Sequence, residues 1–358
     1  MTSRWKSSRL APVLVGAALL LGNLPGPIQA APARQANCVV GVSWNNYQEE
    51  RWAKWDEPAI QAAVAAGGGT YISNDAKSSA ETQASNVENL ITQGASVLII
   101  LAQDGTAIRP SVAAAVAQGI PVIAYDRLIE DPQVLYITFD NVEVGRMEAR
   151  AVYGAQPHGN YVVIKGNQTD ANSDFLRGGY NDVIGNAVSS GDIKIVGETY
   201  TDNWDPSKAQ TEMEQFLTQN QNQVDAVLSE NDGMAGGVVS ALAAQGLAGR
   251  VPVSGQDGDA PALNRIAKGL QTVDVWKDAR QLGKAAGDSA VQMCGGVTRD
   301  QVTNVGRFHT PGNNDVSAIL LQPQPINVSD LNLVLDAGWI TKDNLCQGVP
   351  AGTVAVCQ

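Results

Sequence analysis

Residues 97–127 have the sequence VLIILAQDGTAIRPSVAAAVAQGIPVIAYDR, which contains the pattern that decides the fold class. An apolar run at 97–101 precedes a polar loop, a segment rich in alanine and valine at 108–118, and a second apolar run at 121–125. Gly119 follows the middle segment and suits the C-terminal cap of a helix. This order predicts a strand, a helix and a second strand. Continuous apolar strands are typical of parallel sheets that helices cover on both faces.

The same order of strand, helix and glycine recurs on both sides of this stretch. We predict further helices at 79–93, 234–245 and 276–294, and strands at 38–43, 70–73, 97–101, 121–125, 161–164, 193–197, 226–229, 251–254 and 272–275. The alternation predicts an α/β protein with doubly wound parallel sheets. A length of 358 residues favours two domains.

The break between the two sets of units falls near Asp140, where a second series of strands and helices begins. The tail after Arg299 shows little periodicity, and we expect it to be mostly irregular. We assign two segments to a first lobe, 37–140 and 276–305, and two to a second lobe, 141–275 and 306–358.

The N-terminus has the pattern of a secretory signal peptide over 1–30. Three basic residues precede an apolar run at 10–24, which ends at Pro25-Gly26-Pro27. We predict cleavage after Ala30 or Ala33 and an exported protein, because the run is short for a retained membrane anchor. Removing three positive charges shifts the formal net charge from −12 to −15. Such an acidic protein is not expected to bind nucleic acid.

Four cysteines remain after the predicted cleavage, at Cys38, Cys294, Cys346 and Cys357. None belongs to a C-x-x-C pair, so the spacing does not support a zinc site. In an oxidising compartment we expect two disulfides. Cys346 and Cys357 form the natural local pair, and Cys38 with Cys294 follows by elimination, although four cysteines allow three connectivities.

Polar and aromatic side chains follow most of the predicted strands. In open parallel sheets, ligands bind beyond the carboxyl ends of the strands. Asp and Asn oxygens accept hydrogen bonds from hydroxyl groups, Arg and Lys donate to them, and Trp rings offer flat apolar surfaces to a sugar ring. The residues at these ends are Asn45-Asn46, Glu50-Arg51-Trp52, Gln103-Asp104, Asp126-Arg127, Asn167, Asp170, Asn172, Asn203-Trp204-Asp205, Asn231-Asp232, Gln256-Asp257 and Trp276-Lys277.

Each of these residues also has a purely structural interpretation. A lone Asp after a strand often caps the next helix. Asp126 and Arg127 would also suit a surface ion pair, and Trp52 and Trp55 would suit a core. We assign Trp55 to the core and leave Trp52 open. The repetition of such groups at eight strand ends favours a sugar pocket over eight separate structural explanations.

Motifs for other chemistry are absent from the sequence. There is no G-x-G-x-x-G, G-x-x-x-x-G-K-[ST], H-E-x-x-H or G-x-S-x-G pattern. The two histidines, His158 and His309, are far apart in the sequence and are expected at the surface. Paired carboxylates also serve glycosidases. Here Asp126 and Asp232 have Arg and Asn beside them, which favours hydrogen bonding over acid catalysis. We predict a binding protein without enzymatic activity and without a cofactor.

Several stretches resemble the xylose-binding proteins of bacterial ABC importers and the related multiple-sugar-binding proteins. They include Glu50-Arg51-Trp52, Tyr125-Asp126-Arg127, Asn231-Asp232-Gly233 and Ser254-Gly255-Gln256-Asp257, and the resemblance covers nearly the whole chain after Cys38. It implies two α/β lobes joined by a multi-strand hinge, with the ligand in the cleft between them. It also implies a monomer that closes on a monosaccharide, D-xylose or a similar aldose, and delivers it to a membrane permease.

The resemblance further implies a set of ligand-binding residues. Trp side chains would stack on the sugar while polar groups bind its hydroxyls. Departures at Asn45-Asn46, at 169–173 and at Lys277 leave the choice of sugar open. The implied residues are Arg51, Trp52, Lys54, Asp126 and Arg127 in the first lobe, Asn172, Trp204, Asn231 and Asp257 in the second, and Lys277 at a domain crossing.

Three other functions stay open at this point. A sugar sensor that presents its liganded form to a receptor kinase would use the same pocket. A glycoside-processing enzyme would use the same carboxylates. A sugar-binding repressor is the weakest alternative, because a signal peptide and no helix-turn-helix precedes Cys38.

Overall fold

The computed structural model describes residues 1–2 and 38–358. Apart from its first two positions, the predicted signal peptide at 1–30 lies outside the described residues, as do its cleavage sites. Residues 38–358 belong to one compact unit. None of the helices in the described part of the chain is long and apolar enough to cross a membrane.

Strands and helices alternate over most of the described residues. The strands are β1 Val39–Trp44, β2 Thr70–Asp75, β3 Val97–Ile100, β4 Val122–Tyr125, β5 Leu135–Phe139, β6 Gly159–Lys165, β7 Ile193–Tyr200, β8 Ala226–Ser229, β9 Asp274–Trp276, β10 Gly306–His309, β11 Asp315–Leu321 and β12 Gln324–Ile326. The helices are α1 Glu57–Ala66, α2 Ala80–Thr92, α3 Arg109–Ala117, α4 Asn141–Ala155, α5 Ala171–Ser190, α6 Pro206–Gln219, α7 Asp232–Ala244, α8 Ala260–Ala267, α9 Ala279–Cys294, α10 Leu331–Asp336 and α11 Lys342–Leu345. A π-helical turn, Trp52–Asp56, leads directly into α1.

The larger sheet has seven strands in the order β10-β11-β5-β4-β3-β1-β2. All neighbours are parallel except β10 and β11, which are antiparallel. The strands β3, β4 and β5 are buried along their whole length, as expected for central strands between two layers of helices. We call this sheet and the helices that pack on it the first lobe.

The smaller sheet has three parallel strands in the order β7-β6-β8. Two single parallel bridges, from Val227 to Val253 and from Gln256 to Val275, extend it towards β9. The strand β9 in turn pairs antiparallel with β12. In place of the strand predicted at 251–254, the structure has the single bridge from Val253 to Val227. We call this sheet and the helices that pack on it the second lobe.

Helices cover both faces of each sheet. On the first sheet, α1 and α9 pack together on one face, while α2 and α3 contribute to a separate core on the other. On the second sheet, α6 and α7 cover one face, and α4 and α5 cover the other. The predicted doubly wound α/β fold is confirmed.

The predicted assignment of 306–358 to the second lobe is wrong for its first part. The strand β11 pairs in parallel with β5, with Ala318 opposite Tyr136 and Leu320 opposite Thr138. Its residues 316–319 are buried in the first-lobe cores, and this apolar burial fixes the strand there. The tail after Arg299 is mostly irregular, as predicted, but it contains three strands and two α-helices. Only its end, with α10 and α11, packs in a core with α8.

The predicted disulfide pairing is confirmed. Cys38 bonds to Cys294, which ties the start of β1 to the end of α9, and Cys346 bonds to Cys357 near the C-terminus. The first bond joins positions 256 residues apart, so it strongly restricts the unfolded chain. No free cysteine is present among the described residues.

Candidate ligand-binding site

Side chains from both lobes meet around one buried cavity with about 270 Å³ of space between protein atoms. Each lining residue lies in a segment that follows a parallel strand or one of the extending bridges, which is where α/β folds bind ligands. Its lining consists of Glu49, Arg51, Trp52, Asp126 and Arg127, with Asp170, Asn172, Trp204, Asn231, Gln256, Asp257 and Lys277.

A larger surface cleft between α1 and α9 is a less suitable site. It has about 910 Å³ of space, but small, apolar and uncharged polar side chains make up nearly all of its lining. Asp288 is the single charged residue there. Because no opposite charges converge in it, we take the smaller cavity as the candidate site.

Arg51 lies at the centre of the charged groups and is 1% exposed. Its guanidinium binds Asp56 through two contacts, Nε to Oδ2 at 3.0 Å and Nη2 to Oδ1 at 2.8 Å. The remaining Nη1 lies 3.2 Å from Asp126 Oδ2 and 3.2 Å from Asp257 Oδ1. The Arg51 guanidinium therefore joins Asp126 of the first lobe to Asp257 of the second. A guanidinium can do this because its N–H donors point in several fixed directions in one plane.

Lys277 adds a second positive charge to the same pair of carboxylates. Its Nζ atom lies 3.4 Å from Asp257 Oδ1 and 3.9 Å from Asp126 Oδ2. Burial opposes ionisation of Asp126, but the charges of Lys277 and the two neighbouring arginines hold its pKa below the usual value. Asp126 Oδ2 accepts no well-formed hydrogen bond from the protein. An ionised acceptor with spare capacity is thus available to a ligand.

Arg127 connects the lobes at the other side of the cavity. Its Nε lies 3.0 Å from Asp170 Oδ2, and its Nη2 lies 3.3 Å from Glu49 Oε1. Glu49 also accepts a hydrogen bond from Trp52 Nε1 at 2.7 Å, which orients that indole ring. Burial raises the pKa of Glu49 and of Asp170, and the charge of Arg127 opposes the shift in both cases.

The charges around the cavity nearly cancel. Four carboxylates and three cations line it, and all seven side chains are buried. The cations are already shared among carboxylates, so no excess positive charge remains for an anion. A site with buried donors and acceptors on all sides favours an uncharged ligand rich in hydroxyl groups.

Trp204 is the aromatic residue that the second lobe contributes, and it is 5% exposed. A Cβ at Gly166 would lie 2.1 Å from its ring, so glycine at that position makes room for the indole. Trp204 has a φ of 57°, which is unusual for a bulky side chain. Its buried Nε1 has no hydrogen-bond partner in the described protein, so this N–H is free to bind a ligand.

Asn172 and Asn231 complete the polar lining. The Nδ2 atom of Asn172 donates to the Asp126 carbonyl at 3.2 Å, while its Oδ1 accepts from Asn141 at 2.9 Å. The Oδ1 atom of Asn231 accepts from the Met234 N–H at 2.9 Å and so caps α7. Asn231 thus fits both the structural and the functional interpretation.

The structure brings nine of the ten predicted residues around this cavity and leaves Lys54 out. Lys54 is 39% exposed, pairs with Glu50 and lies over the ring of Trp55. In the π-helical turn, Trp52 and Asp56 are the buried residues. Lys54 is midway between them in the sequence and therefore lies on the opposite, exposed side of the turn. The prediction for Lys54 is therefore corrected. The surface ion pair considered for Asp126 and Arg127 is also wrong, because both are 4% exposed.

Three of the lining residues, Glu49, Asp170 and Gln256, are absent from the ten ligand-binding residues that the resemblance implied. Asp170 and Gln256 follow strands in the same way as the residues that we did choose, so the signal was present. Glu49 had no signal beyond its position two residues before Arg51. Trp55 packs outside the cavity, stacked on Trp339 with ring centroids 4.5 Å apart.

Both histidines are exposed and neither lies near the cavity, as we predicted for surface residues. No group of three or more His, Cys, Asp or Glu side chains suited to a metal ion occurs within the described residues.

Asp232 holds the loop that carries Asp257. Its Oδ2 atom accepts hydrogen bonds from the backbone N–H groups of Gly258 and Asp259, at 3.1 and 3.0 Å. Asp257 itself has a φ of 103°, so the loop depends on such contacts to keep its shape. Burial raises the pKa of Asp232 to about 7.

We expect this carboxyl to make the protein less stable as the pH rises from about 4 to 7, because the folded state retains a proton that the unfolded chain has lost. The urea midpoint should therefore be lower at about pH 8 than at about pH 5.5. Asp232→Asn should reduce this difference. The exposed Asp288→Asn variant should retain it, and an Asp232→Asn variant with the full wild-type difference would contradict the assignment.

Two lobes of parallel sheets around a buried polar cavity define the class of two-domain α/β binding proteins. Residues 40–297 match the family model of the periplasmic binding protein domain. The chain belongs to the periplasmic binding protein family, whose members bind ligands rather than convert them.

Two relatives and one solved structure show the extent of the similarity. The chain is 37% identical over 314 residues to the D-xylose-binding periplasmic protein of Escherichia coli (strain K12), covering 87% of this chain and 92% of that one. It is 32% identical over 341 residues to a multiple sugar-binding periplasmic receptor of Rhizobium radiobacter, covering 88% and 94%. A solute binding protein of an ABC transporter from Clostridium phytofermentans, solved with bound β-D-glucose, has a TM-score of 0.78 at 27% identity, covering 86% and 99%. The resemblance to sugar-binding proteins is confirmed, and the periplasmic relatives agree with the predicted export.

Proposed function

We propose that this protein binds a single monosaccharide between its lobes, with D-xylose the first candidate, and delivers it to the membrane permease of an ABC importer. The observation that carries the proposal is the cavity of nearly balanced charge with one tryptophan from each lobe, Trp52 and Trp204. Buried carboxylates and cations supply directional hydrogen bonds to hydroxyls, and the indole rings supply apolar surface.

The choice of D-xylose rests on the comparison with relatives whose ligands are named. The relative named for D-xylose shares more identity with this chain than the multiple sugar-binding receptor does, at 37% against 32%. The neighbour that holds β-D-glucose supports a pyranose ring as the general ligand class.

Isothermal titration calorimetry with a sugar panel tests this proposal. The protein is first unfolded, dialysed and refolded with its disulfides intact, to remove any bound sugar. We expect one saturable site for D-xylose, weaker binding of D-glucose and D-ribose, and no binding of D-xylonate. The xylonate carboxylate would enter a cavity that already has four carboxylates against three cations.

Failure of every neutral monosaccharide to bind would contradict the proposal, and tight binding of D-xylonate would contradict the charge argument. Chromatography of the sugar after long incubation supplies a further check. Recovery of the sugar unchanged is expected, whereas its conversion to another product would favour the enzyme alternative.

A sensory role is the second candidate, because a relative at 32% identity is named a receptor for multiple sugars. Both roles use the same cavity and differ in the partner of the closed form. Uptake of labelled D-xylose and induction of sugar-responsive genes, measured in cells that lack this protein, separate them. Loss of uptake supports the importer, and loss of induction with normal uptake supports the sensor.

A further inference from the structure

A second set of contacts joins the lobes outside the cavity. The Nε2 atom of Gln103 donates to Asn203 Oδ1 at 2.8 Å, and Gln48 Nε2 donates to the Asn203 carbonyl at 3.3 Å. Thr169 Oγ1 donates to the Gln103 carbonyl at 3.3 Å. We call these four residues the cross-lobe clasp: Gln48 and Gln103 belong to the first lobe, and Thr169 and Asn203 to the second. None of them lines the cavity.

Hydrogen bonds within the first lobe fix the backbone at Gln103 independently of the second lobe. The fully buried Gln83 on α2 donates from Nε2 to the Leu101 carbonyl at 2.8 Å, and its Oε1 accepts from the Gln103 N–H at 2.8 Å. The buried side-chain amide of Gln83 thus forms one hydrogen bond as donor and one as acceptor, and these two bonds fix the backbone from Leu101 to Gln103. The first-lobe half of the clasp is therefore preorganised on the sheet.

Asn203 directly precedes Trp204, and both residues have left-handed backbone conformations, with φ of 60° and 57°. Asparagine tolerates this region, whereas tryptophan does so only when surrounding contacts compensate for the cost. The hydrogen bonds from Gln103 and Gln48 reach the Asn203 side chain and carbonyl. These bonds exist only while the lobes are together, so closure itself stabilises the turn that places Trp204 in the cavity.

We propose that the cross-lobe clasp sets the lifetime of the closed, sugar-bound form by holding the Trp204 turn, although its residues do not touch the sugar. Gln103 and Asn203 act as positioning residues in this role. The inference rests on the proposed function, since a bound sugar defines the closed form. Loss of a clasp hydrogen bond shortens the residence time and leaves the encounter between sugar and open protein unchanged.

Stopped-flow measurement of D-xylose association and release, followed by tryptophan fluorescence, tests the clasp. Gln103→Met keeps the length of the side chain without its donor, and Asn203→Gly keeps the left-handed backbone without the Oδ1 acceptor. We expect the dissociation rate constant to rise about five- to tenfold in each variant, with the association rate constant changed less than about twofold. Asn203→Asp retains an acceptor oxygen and should restore slow release.

Gln118→Met is the matched control, because Gln118 is exposed and bonds only to the Ala114 carbonyl within its own helix region. The melting temperature of the sugar-free variants should equal that of wild type, since the clasp forms only on closure. Unchanged release in Gln103→Met and Asn203→Gly overturns the clasp while wild-type binding upholds the proposed function. Slower association together with a lower melting temperature also overturns it, because that result indicates a structural role. A wild-type protein that binds no sugar overturns both proposals.

Discussion

Replacing Arg51 with alanine is expected to abolish sugar binding and to lower the free energy of unfolding by about 3–5 kcal/mol. The guanidinium is 1% exposed and contacts Asp56, Asp126 and Asp257. Without it, three buried carboxylates lose their shared counter-charge, and Lys277 is left to face two of them. Urea denaturation and calorimetric titration of the variant measure the two effects separately.

A pair of variants sharpens this test. Arg51→Lys keeps the positive charge but loses the planar fork that binds Asp56 through two contacts, so we expect an intermediate loss of both stability and affinity. Arg146→Ala removes a partly exposed arginine from the surface of α4 and should cost about 1 kcal/mol or less. Wild-type affinity in Arg51→Ala would remove this residue from the site.

Replacing Trp204 with alanine is expected to weaken sugar binding by about 30- to 100-fold, because the cavity loses an aromatic face and opens beside Gly166. Trp204→Phe retains a ring without the indole N–H, and it should lose about tenfold or less. The measurement is the dissociation constant for D-xylose, taken after circular dichroism has shown that each variant is folded.

Trp55→Phe is the matched control for Trp204. Trp55 stacks on Trp339 outside the cavity, so its replacement should leave the dissociation constant nearly unchanged. Equal losses of affinity in Trp55→Phe and Trp204→Phe would show that general packing, and not contact with the sugar, explains the effect. Unchanged affinity in Trp204→Ala would exclude this ring from the binding surface.

Much of the fold follows from local patterns in the sequence. Continuous apolar runs such as 97–101 and 121–125 predicted buried parallel strands, which the structure has at Val97–Ile100 and Val122–Tyr125. The carboxyl ends of these runs predicted the position of the site. The placement of β11 was not predictable in this way. It pairs with β5, which lies about 180 residues earlier in the chain, and local periodicity contains no information about such a partner.

The site shows the same limit at the level of single residues. The resemblance implied Lys54 as a ligand-binding residue, and an α-helical turn would put it on the same face as Arg51, three positions earlier. The actual π-helical turn, with its longer i to i+5 spacing, puts Asp56 there instead, where it binds Arg51. The position of Asp170 after a strand was visible in the sequence, but its ion pair with Arg127 from the other lobe was not. Pairings across lobes become visible only when both strand ends are placed in space.

The most direct test of the central claim is a crystal structure of the protein with D-xylose. We predict one pyranose between the lobes, with hydroxyl groups within hydrogen-bonding distance of Asp126 and Asp257 and a ring face against Trp204. A sugar bound elsewhere on the molecule, or no sugar in the cavity at saturating concentration, would contradict the account.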